Sequence, residues 1–254
     1  MKRIFCIILV LMFMFGVVGC TAPAAQKSEE TSAQQPAAET TQGTETSQKS
    51  VNAIEFKDAN LEKDIRKLIN KPEGDITKED ALKVTFIDFS KQYEGDDAIR
   101  IYDISGLEYF TNLEELHLMF NRVSNISQLA KMTKLKRLSL GGNEVEDISV
   151  LSGLTNISSL AFFGNNVTDF SPLKNLTKMQ WLLLNYTSIS DLSVLSGMTE
   201  LWQLDLANTQ VSDVTPLAGL KNLIKLFLKD SKVTDFSPLK DIYPNLTEKD
   251  FEME

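Results

Sequence analysis

Leu113-Glu114-Glu115-Leu116-His117-Leu118-Met119-Phe120-Asn121 returns 22 residues later as Leu135-Lys136-Arg137-Leu138-Ser139-Leu140-Gly141-Gly142-Asn143. The same step then brings Ile157, Met179, Leu201 and Leu223, each opening a unit of the form L-x-x-L-x-L-x-x-N. The inner pairs run Leu116/Leu118, Leu138/Leu140, Leu160/Phe162, Leu182/Leu184, Leu204/Leu206 and Leu226/Leu228. Their period of two puts each pair on one face of a short strand, and self-similarity at a fixed period marks stacked coils sharing one core. The ninth position reads Asn121, Asn143, Asn165, Thr187, Thr209 and Ser231, small hydrogen-bonding groups able to satisfy buried backbone where each coil turns.

The second half of each unit is as regular. Val145, Ile148, Leu151 and Leu154 in one coil match Val211, Val214, Leu217 and Leu220 in another, a three-residue spacing that suits a 3₁₀ turn. Asn125, Asp147, Asp169, Asp191, Asp213 and Asp235 stand two residues before Ser127, Ser149, Ser171, Ser193, Thr215 and Ser237. An Asx turn leading into a Ser/Thr N-cap accounts for both columns, with Pro172, Pro216 and Pro238 at the first helical position. A calcium ladder is the competing reading of one aspartate per coil, and capping already explains the spacing. Asn-x-Ser/Thr sequons at Asn125, Asn156 and Asn175 are by-products of the repeat.

The strand, the Asn turn, the segment Ser190-Asp191-Leu192-Ser193 and the closure Gly153-Leu154-Thr155-Asn156 together resemble the internalin family of bacterial surface proteins. The resemblance covers roughly residues 51–242. It implies an α/β solenoid: a curved leucine-rich-repeat array with a concave parallel β-sheet, 3₁₀ turns on the convex side and a helical N-terminal cap. For function it implies binding of host or cell-surface ligands on the concave sheet. Residues 243–254 are too few for the immunoglobulin-like module that follows the repeats in typical internalins, and no cell-wall sorting motif is present. The expected anchor is therefore a lipid, and components of the same envelope join the candidate partners.

A solenoid needs covered ends. Residues 51–83 form the predicted helical cap: Asn60 as N-cap of a helix with Leu61, Ile65, Leu68 and Ile69 on one face, a break at Lys71-Pro72-Glu73-Gly74-Asp75, then a capping box from Thr77 to Asp80. Val84, Ile87 and Phe89 repeat the strand pattern 29 residues before Leu113, which leaves a seven-residue insertion within 91–99. This gives about seven coils over residues 84–242 and a C-terminal cap or tail over 243–254.

The front of the chain differs in kind. Lys2 and Arg3 precede an apolar run from Ile4 to Val18 that reads as a signal peptide over residues 1–19. Val17-Val18-Gly19-Cys20 resembles the lipobox of bacterial lipoproteins, which implies diacylation of Cys20, palmitate or a similar chain, and an extracytoplasmic, membrane-anchored position. Residues 20–50 hold no aromatic or large aliphatic residue after Cys20 and read as a disordered tether. Its span is roughly 30 Å on average and about 100 Å when extended.

Composition narrows the chemistry. The formal charge of -9 becomes -11 once Lys2 and Arg3 leave with the leader, a balance that repels phosphate backbones, so no nucleic-acid partner is expected. Cys6 and Cys20 are the only cysteines and His117 the only histidine, so disulfides, thiolate metal sites and imidazole clusters have no material in the repeats. No cofactor or metal is expected. Paired carboxylates such as Asp88 and Glu115 are the nearest thing to catalytic groups, and no phosphate loop or metal motif accompanies them, so no catalytic residue and no enzyme is predicted.

The residues between the inner leucines should face the concave side and choose the ligand. The central column runs Asp88, His117, Ser139, Ala161, Leu183, Asp205, Phe227, flanked by a column containing Trp181 and one containing Met119 and Phe163. Phe163, Trp181, Leu183 and Tyr186, with His117, Met119 and Phe227, form the candidate binding set for a protein or glycan ligand. A structural or accessory envelope protein that uses the sheet for assembly is the alternative.

Overall fold

The computed structural model describes residues 51–253; the leader, Cys20, the tether through residue 50 and Glu254 lie outside the described residues. Eight parallel strands form one sheet in chain order: β1 Phe86–Asp88, β2 Glu115–His117, β3 Arg137–Ser139, β4 Ser159–Ala161, β5 Trp181–Leu183, β6 Gln203–Asp205, β7 Lys225–Phe227 and β8 Glu248–Lys249. Every leucine-column residue of the repeat is buried, and a single apolar core runs from Ile54 to Leu246. The 3₁₀ turns fall where the three-residue spacing puts them, among them Ser127–Lys131, Ser149–Gly153 and Ser171–Asn175.

Three buried asparagines tie neighbouring coils together. Asn143 Oδ1 accepts from Val123 N, one coil back, while its Nδ2 donates to Leu118 O and to Leu140 O, each at 2.9 Å. Asn121 and Asn165 repeat the pattern with Ile101 N and Val145 N. Thr187 and Thr209 keep only the local bond, each hydroxyl donating to the carbonyl three residues back, Leu184 O and Leu206 O. One short hydroxyl cannot span what the amide spans.

In the turns it is the aspartate, not the Ser/Thr hydroxyl, that caps. Asp147, Asp169, Asp191, Asp213 and Asp235 each accept the backbone N–H two residues on, at 2.8–2.9 Å, and the 3₁₀ turns carry no side-chain bond from their own N-cap residue. Ser193 Oγ turns back to donate to Asp191 Oδ2. So short a turn leaves few free N–H groups, and the Asx bond already satisfies the first.

The cap helix α1, Ala59–Leu68, departs from expectation at its start. Asp58 is the N-cap: its Oδ1 accepts from Asn60 N and Leu61 N, and its Oδ2 from Tyr102 N at 2.7 Å. One carboxylate thus starts the helix and holds it to the first coil. Asn60 instead donates its amide to Ala98 O and Arg100 O. Leu61 and Ile65 are buried, whereas Leu68 is 41% exposed, one step off the inward face. The second helix α2, Lys78–Ala81, has the expected capping box between Thr77 and Asp80.

Two further differences lie at the ends of the array. The insertion folds as a 3₁₀ turn, Asp97–Ile99, capped by Asp96, and Arg100 behind it is buried, donating to Phe120 O, Tyr93 O and Gln92 O. Seven coils were expected; the tail adds a 3₁₀ turn, Tyr243–Asn245, and the eighth strand, β8. Glu248 and Lys249 pair with Lys225 and Leu226, and Phe251 stacks on Phe236 at 4.7 Å, covering the last coil.

Candidate ligand-binding face

Strand register aligns two columns on the solvent face of the sheet. One runs Phe86, Glu115, Arg137, Ser159, Trp181, Gln203, Lys225; the other runs Asp88, His117, Ser139, Ala161, Leu183, Asp205, Phe227. The interposed Ile87 and leucines point into the core, so the members of these columns lie on the opposite face, where neighbours cover Ser139 and Ala161 and leave the others at least partly open.

The β1–β3 end is polar and internally paired. Glu115 bridges Arg137 at 2.5 Å; His117 Nδ1 lies 2.9 Å from Ser139 Oγ, and His117 Nε2 lies 3.6 Å from Glu115. Phe86, 49% exposed, tilts over the His117 ring at 5.8 Å. Asp88 accepts from Ser90 N. The two carboxylates considered as a catalytic pair are thus committed to separate structural bonds.

The β5–β7 end is apolar around one acid. Trp181, Leu183 and Phe227 are half-buried, each partly covered by its neighbours along the columns. Asp205 sits between Leu183 and Phe227 and accepts from Ala207 N at 2.9 Å. Burial pushes its carboxyl up to about 6, with the negative charge of Asp250 adding to the rise and the Ala207 N–H opposing it. Asn185, two residues beyond Leu183, is 3% exposed, and its Oδ1 has no hydrogen-bond partner.

A rim of aromatic side chains follows the strands. The residue before each turn position is left-handed: Phe120, Gly142, Gly164, Tyr186, Asn208 and Asp230 all have φ between 57° and 69°. Glycine or asparagine takes that conformation cheaply, whereas a bulky side chain costs roughly 1–2 kcal/mol. Phe120 and Tyr186 are therefore held against backbone preference. The ring of Phe163 lies on Gly141, where a Cβ would come within 2.2 Å of it, and the ring of Phe120 lies on Gly142 in the same way. Phe163, Phe120 and Tyr93 form a continuous run, with centroids 5.7 and 5.6 Å apart, anchored from below by Arg100.

Of the predicted set, Trp181 and Leu183 share β5, and Phe227 lies two strands away beyond Asp205. Phe163 turns away from them toward Phe120. Trp181, Leu183 and Phe163 are half-buried, and Tyr186 alone of that patch is open, at 47%. His117 belongs to the polar end, and Met119, half-buried, donates its N–H to Ser90 Oγ. Phe86, Asn185 and Asp205 belong to the solvent-face columns but lie outside the candidate set, and Tyr93, Phe120 and the buried Arg100 are the residues that sequence reasoning missed. Phe120 carried a readable signal, since with Tyr186 it is one of two aromatics in a column otherwise made of two glycines, an asparagine and an aspartate. Among the described residues no group of three or more His, Cys, Asp or Glu could hold a metal ion, and no helix is long and apolar enough to cross a membrane.

The family described as Leucine Rich repeats (2 copies) matches residues 111–154 and 133–175. An internalin (inlF) from Listeria monocytogenes superposes with a TM-score of 0.64 at 28% identity over 76% of this chain, and the chain spans only 62% of that protein. An internalin C2 from the same organism gives 0.62 at 26% identity, with 80% of this chain and 99% of that one covered. A leucine-rich-repeat protein from Leptospira interrogans shares the fold, at 23% identity and a TM-score of 0.54, over 60% of this chain and 40% of its own. No curated protein matches the sequence significantly.

Proposed function

Taking the chain as an internalin-like leucine-rich-repeat protein, a scaffold for binding and not an enzyme, we propose that it binds a protein or glycan ligand through the solvent face of its sheet and its aromatic rim. The observation that carries this reading is the rim itself. Phe120 and Tyr186 occupy left-handed positions that a bulky residue takes at a cost, and while Phe120 packs on Gly142 and Phe163, Tyr186 remains 47% exposed. Strain maintained at an exposed aromatic is a feature of binding sites, because folding alone gives no reason for it.

In this proposal the protein is a surface lipoprotein. Cys20 carries the lipid, the stretch to residue 50 holds the solenoid clear of the headgroups, and the face is presented outward from the extracytoplasmic side of a bacterial envelope, for adhesion or contact with another cell surface. The acidic balance and the lipobox-like Val17-Val18-Gly19-Cys20 support that arrangement.

The test uses the immobilised wild-type chain and its Trp181→Ala and Tyr186→Gly variants against host-cell-surface extract and against intact envelope extract. Retention of a component from host extract by the wild type, reduced in both variants, is the expected result. Retention from envelope extract alone would favour the assembly role instead. Equal retention by wild type and variants would remove the face from consideration.

A further inference from the structure

Asp205 is a carboxylate placed where a carboxylate is costly, between Leu183 and Phe227 on the sheet, with Ala207 N its one hydrogen-bond donor. The charged groups packed near it offer no relief. Strand β5 contributes Trp181, Leu183 and then Asn185, none of them charged. On β7, Lys225 is engaged by Glu248 at 2.5 Å, and Lys229 follows Phe227 as an exposed side chain. From the tail, Lys249 lies over the Tyr243 ring, and Asp250 adds a second negative charge while holding Leu228 N and Lys229 N. Two residues beyond Leu183, the strand partner of Asp205, Asn185 is 3% exposed, and its Oδ1 is an acceptor without a donor. A carboxylate with one donor and an amide oxygen with none, within a surround of Trp181, Leu183 and Phe227, define the complement: a cation with several N–H groups and a flat face.

Resting on the binding role proposed above, we propose that the face between β5 and β7 takes an arginine side chain from a protein partner, with Asp205 as its counter-ion and Asn185 Oδ1 as a second acceptor. A guanidinium fits better than an ammonium, because it is planar, stacks on indole and phenyl faces, and can serve two acceptors at once. Asn185 Oδ1 is covered in the free protein, so its service as second acceptor requires the amide to turn outward, which its side-chain amide signal would report. A carboxylate already stripped of water loses little further hydration on pairing, which favours a cation over neutral polar groups. The ionised form of Asp205 is the binding form. With its carboxyl near 6, the site is mostly charged at pH 7.5 and mostly neutral at pH 5.

The probe is N-acetyl-arginine amide, titrated into the full chain and followed by the backbone amide signals of Leu183, Ala207 and Phe227 and the side-chain amide of Asn185. Saturable shifts are expected with this probe. They should be at least about tenfold weaker with the uncharged isostere N-acetyl-citrulline amide, and weaker with N-acetyl-lysine amide. Lowering the pH from 7.5 to 5 should weaken arginine binding about tenfold, following the fraction of Asp205 ionised. Asp205→Asn keeps an acceptor for Ala207 N and removes the charge; its unfolding curve is measured alongside, and its arginine response should be lost. Equal binding of citrulline, or an unchanged arginine response in a folded Asp205→Asn, overturns the proposal. If the probe fails while Trp181-dependent retention of a partner persists, the arginine assignment falls and the binding face stands; if both fail, both fall.

Discussion

Asp250 supplies for Leu228 the acceptor that the short eighth strand does not: its Oδ1 accepts Leu228 N at 2.7 Å, and its Oδ2 accepts Lys229 N at 3.0 Å. In preceding coils the equivalent N–H goes to a backbone carbonyl of the next strand, as Leu184 N does to Asp205 O and Leu206 N to Phe227 O. A side chain thus closes the ladder where backbone runs out, and an open sheet edge is a template for unwanted pairing. Asp250→Ala should lower the urea midpoint, by about 1 kcal/mol in stability, and raise the tendency to self-associate. Asp250→Asn, which retains an acceptor, should recover part of both. Denaturation and light scattering on the three proteins check this, and identical midpoints would mean that the tail caps by packing alone.

The left-handed backbone of Tyr186, φ 57°, sets stability against binding. Glycine there relieves the strain and gives up little packing, since nearly half of the tyrosine is exposed. Tyr186→Gly should therefore leave stability unchanged or raise it by up to about 1 kcal/mol, while weakening retention of the ligand. Thermal melts beside binding measurements decide it. A marked loss of stability would show that the tyrosine is kept for packing.

Opposite shifts of buried and capping aspartates divide the pH range. Asp205 has its carboxyl raised from 3.8 to about 6, so between those values the folded state keeps a proton that the unfolded state has lost. Its contribution to stability is highest below about pH 4 and falls as pH rises to about 6. Asp205→Asn should hence be more stable than wild type at pH 7, by roughly 1–3 kcal/mol, with the difference vanishing at acidic pH. Asp147, Asp169 and Asp191 are lowered, chiefly by the backbone N–H each accepts and then by the Ser hydroxyl, against a small opposing desolvation. Their stabilisation is complete above the usual carboxylate range and is lost as pH falls through their depressed values. Asp169→Ala should melt below wild type at pH 7, irrespective of added calcium or chelator, and the gap should close in strong acid. A chelator-sensitive melting temperature would argue for metal in the aspartate column.

Much of this was legible because the repeat states it six times over. Once Leu116 and Leu138 occupy equivalent places, the pairing of Glu115 with Arg137 follows, and so does the placing of Trp181 between Ser159 and Gln203. Reading failed where a residue's role depends on one particular neighbour. Glu248 and Lys249 carry no apolar pattern, and become a strand because β7 offers its edge. Asp58 outcompetes Asn60 as cap because it also meets Tyr102 N, 44 residues away. Phe163 leans on Gly141, and not toward Trp181, because the missing side chain one coil back leaves a seat for its ring. The raised carboxyl of Asp205 combines burial in the sheet, next to Phe227, with the negative charge of Asp250, groups that an inspection of β6 alone does not contain.

Trp181 and Leu182 are adjacent in β5 and face opposite ways, which permits a crossed test of the binding face. Leu182 is fully buried between Leu160 and Leu204, so truncation leaves a cavity in a core that cannot collapse around it without disturbing both adjoining coils. Leu182→Ala should cost about 2–5 kcal/mol of stability. Trp181 stands on the other face, half-covered, and its column continues through Ser159 and Gln203, so the fold has little to lose there. What a partner would gain by covering the rest of the indole is on the order of 1.5–3 kcal/mol, and Trp181→Ala should weaken a genuine complex at least about tenfold. Because half of the indole is already packed, a minor loss of stability is expected from this variant too, well below that of Leu182→Ala. Unfolding curves and ligand affinity measured on both variants separate the two effects. A Trp181→Ala protein that unfolds more readily than Leu182→Ala would invert the assigned facing, and one that is stable and binds as wild type would move the ligand to the rim formed by Tyr93, Phe120 and Phe163.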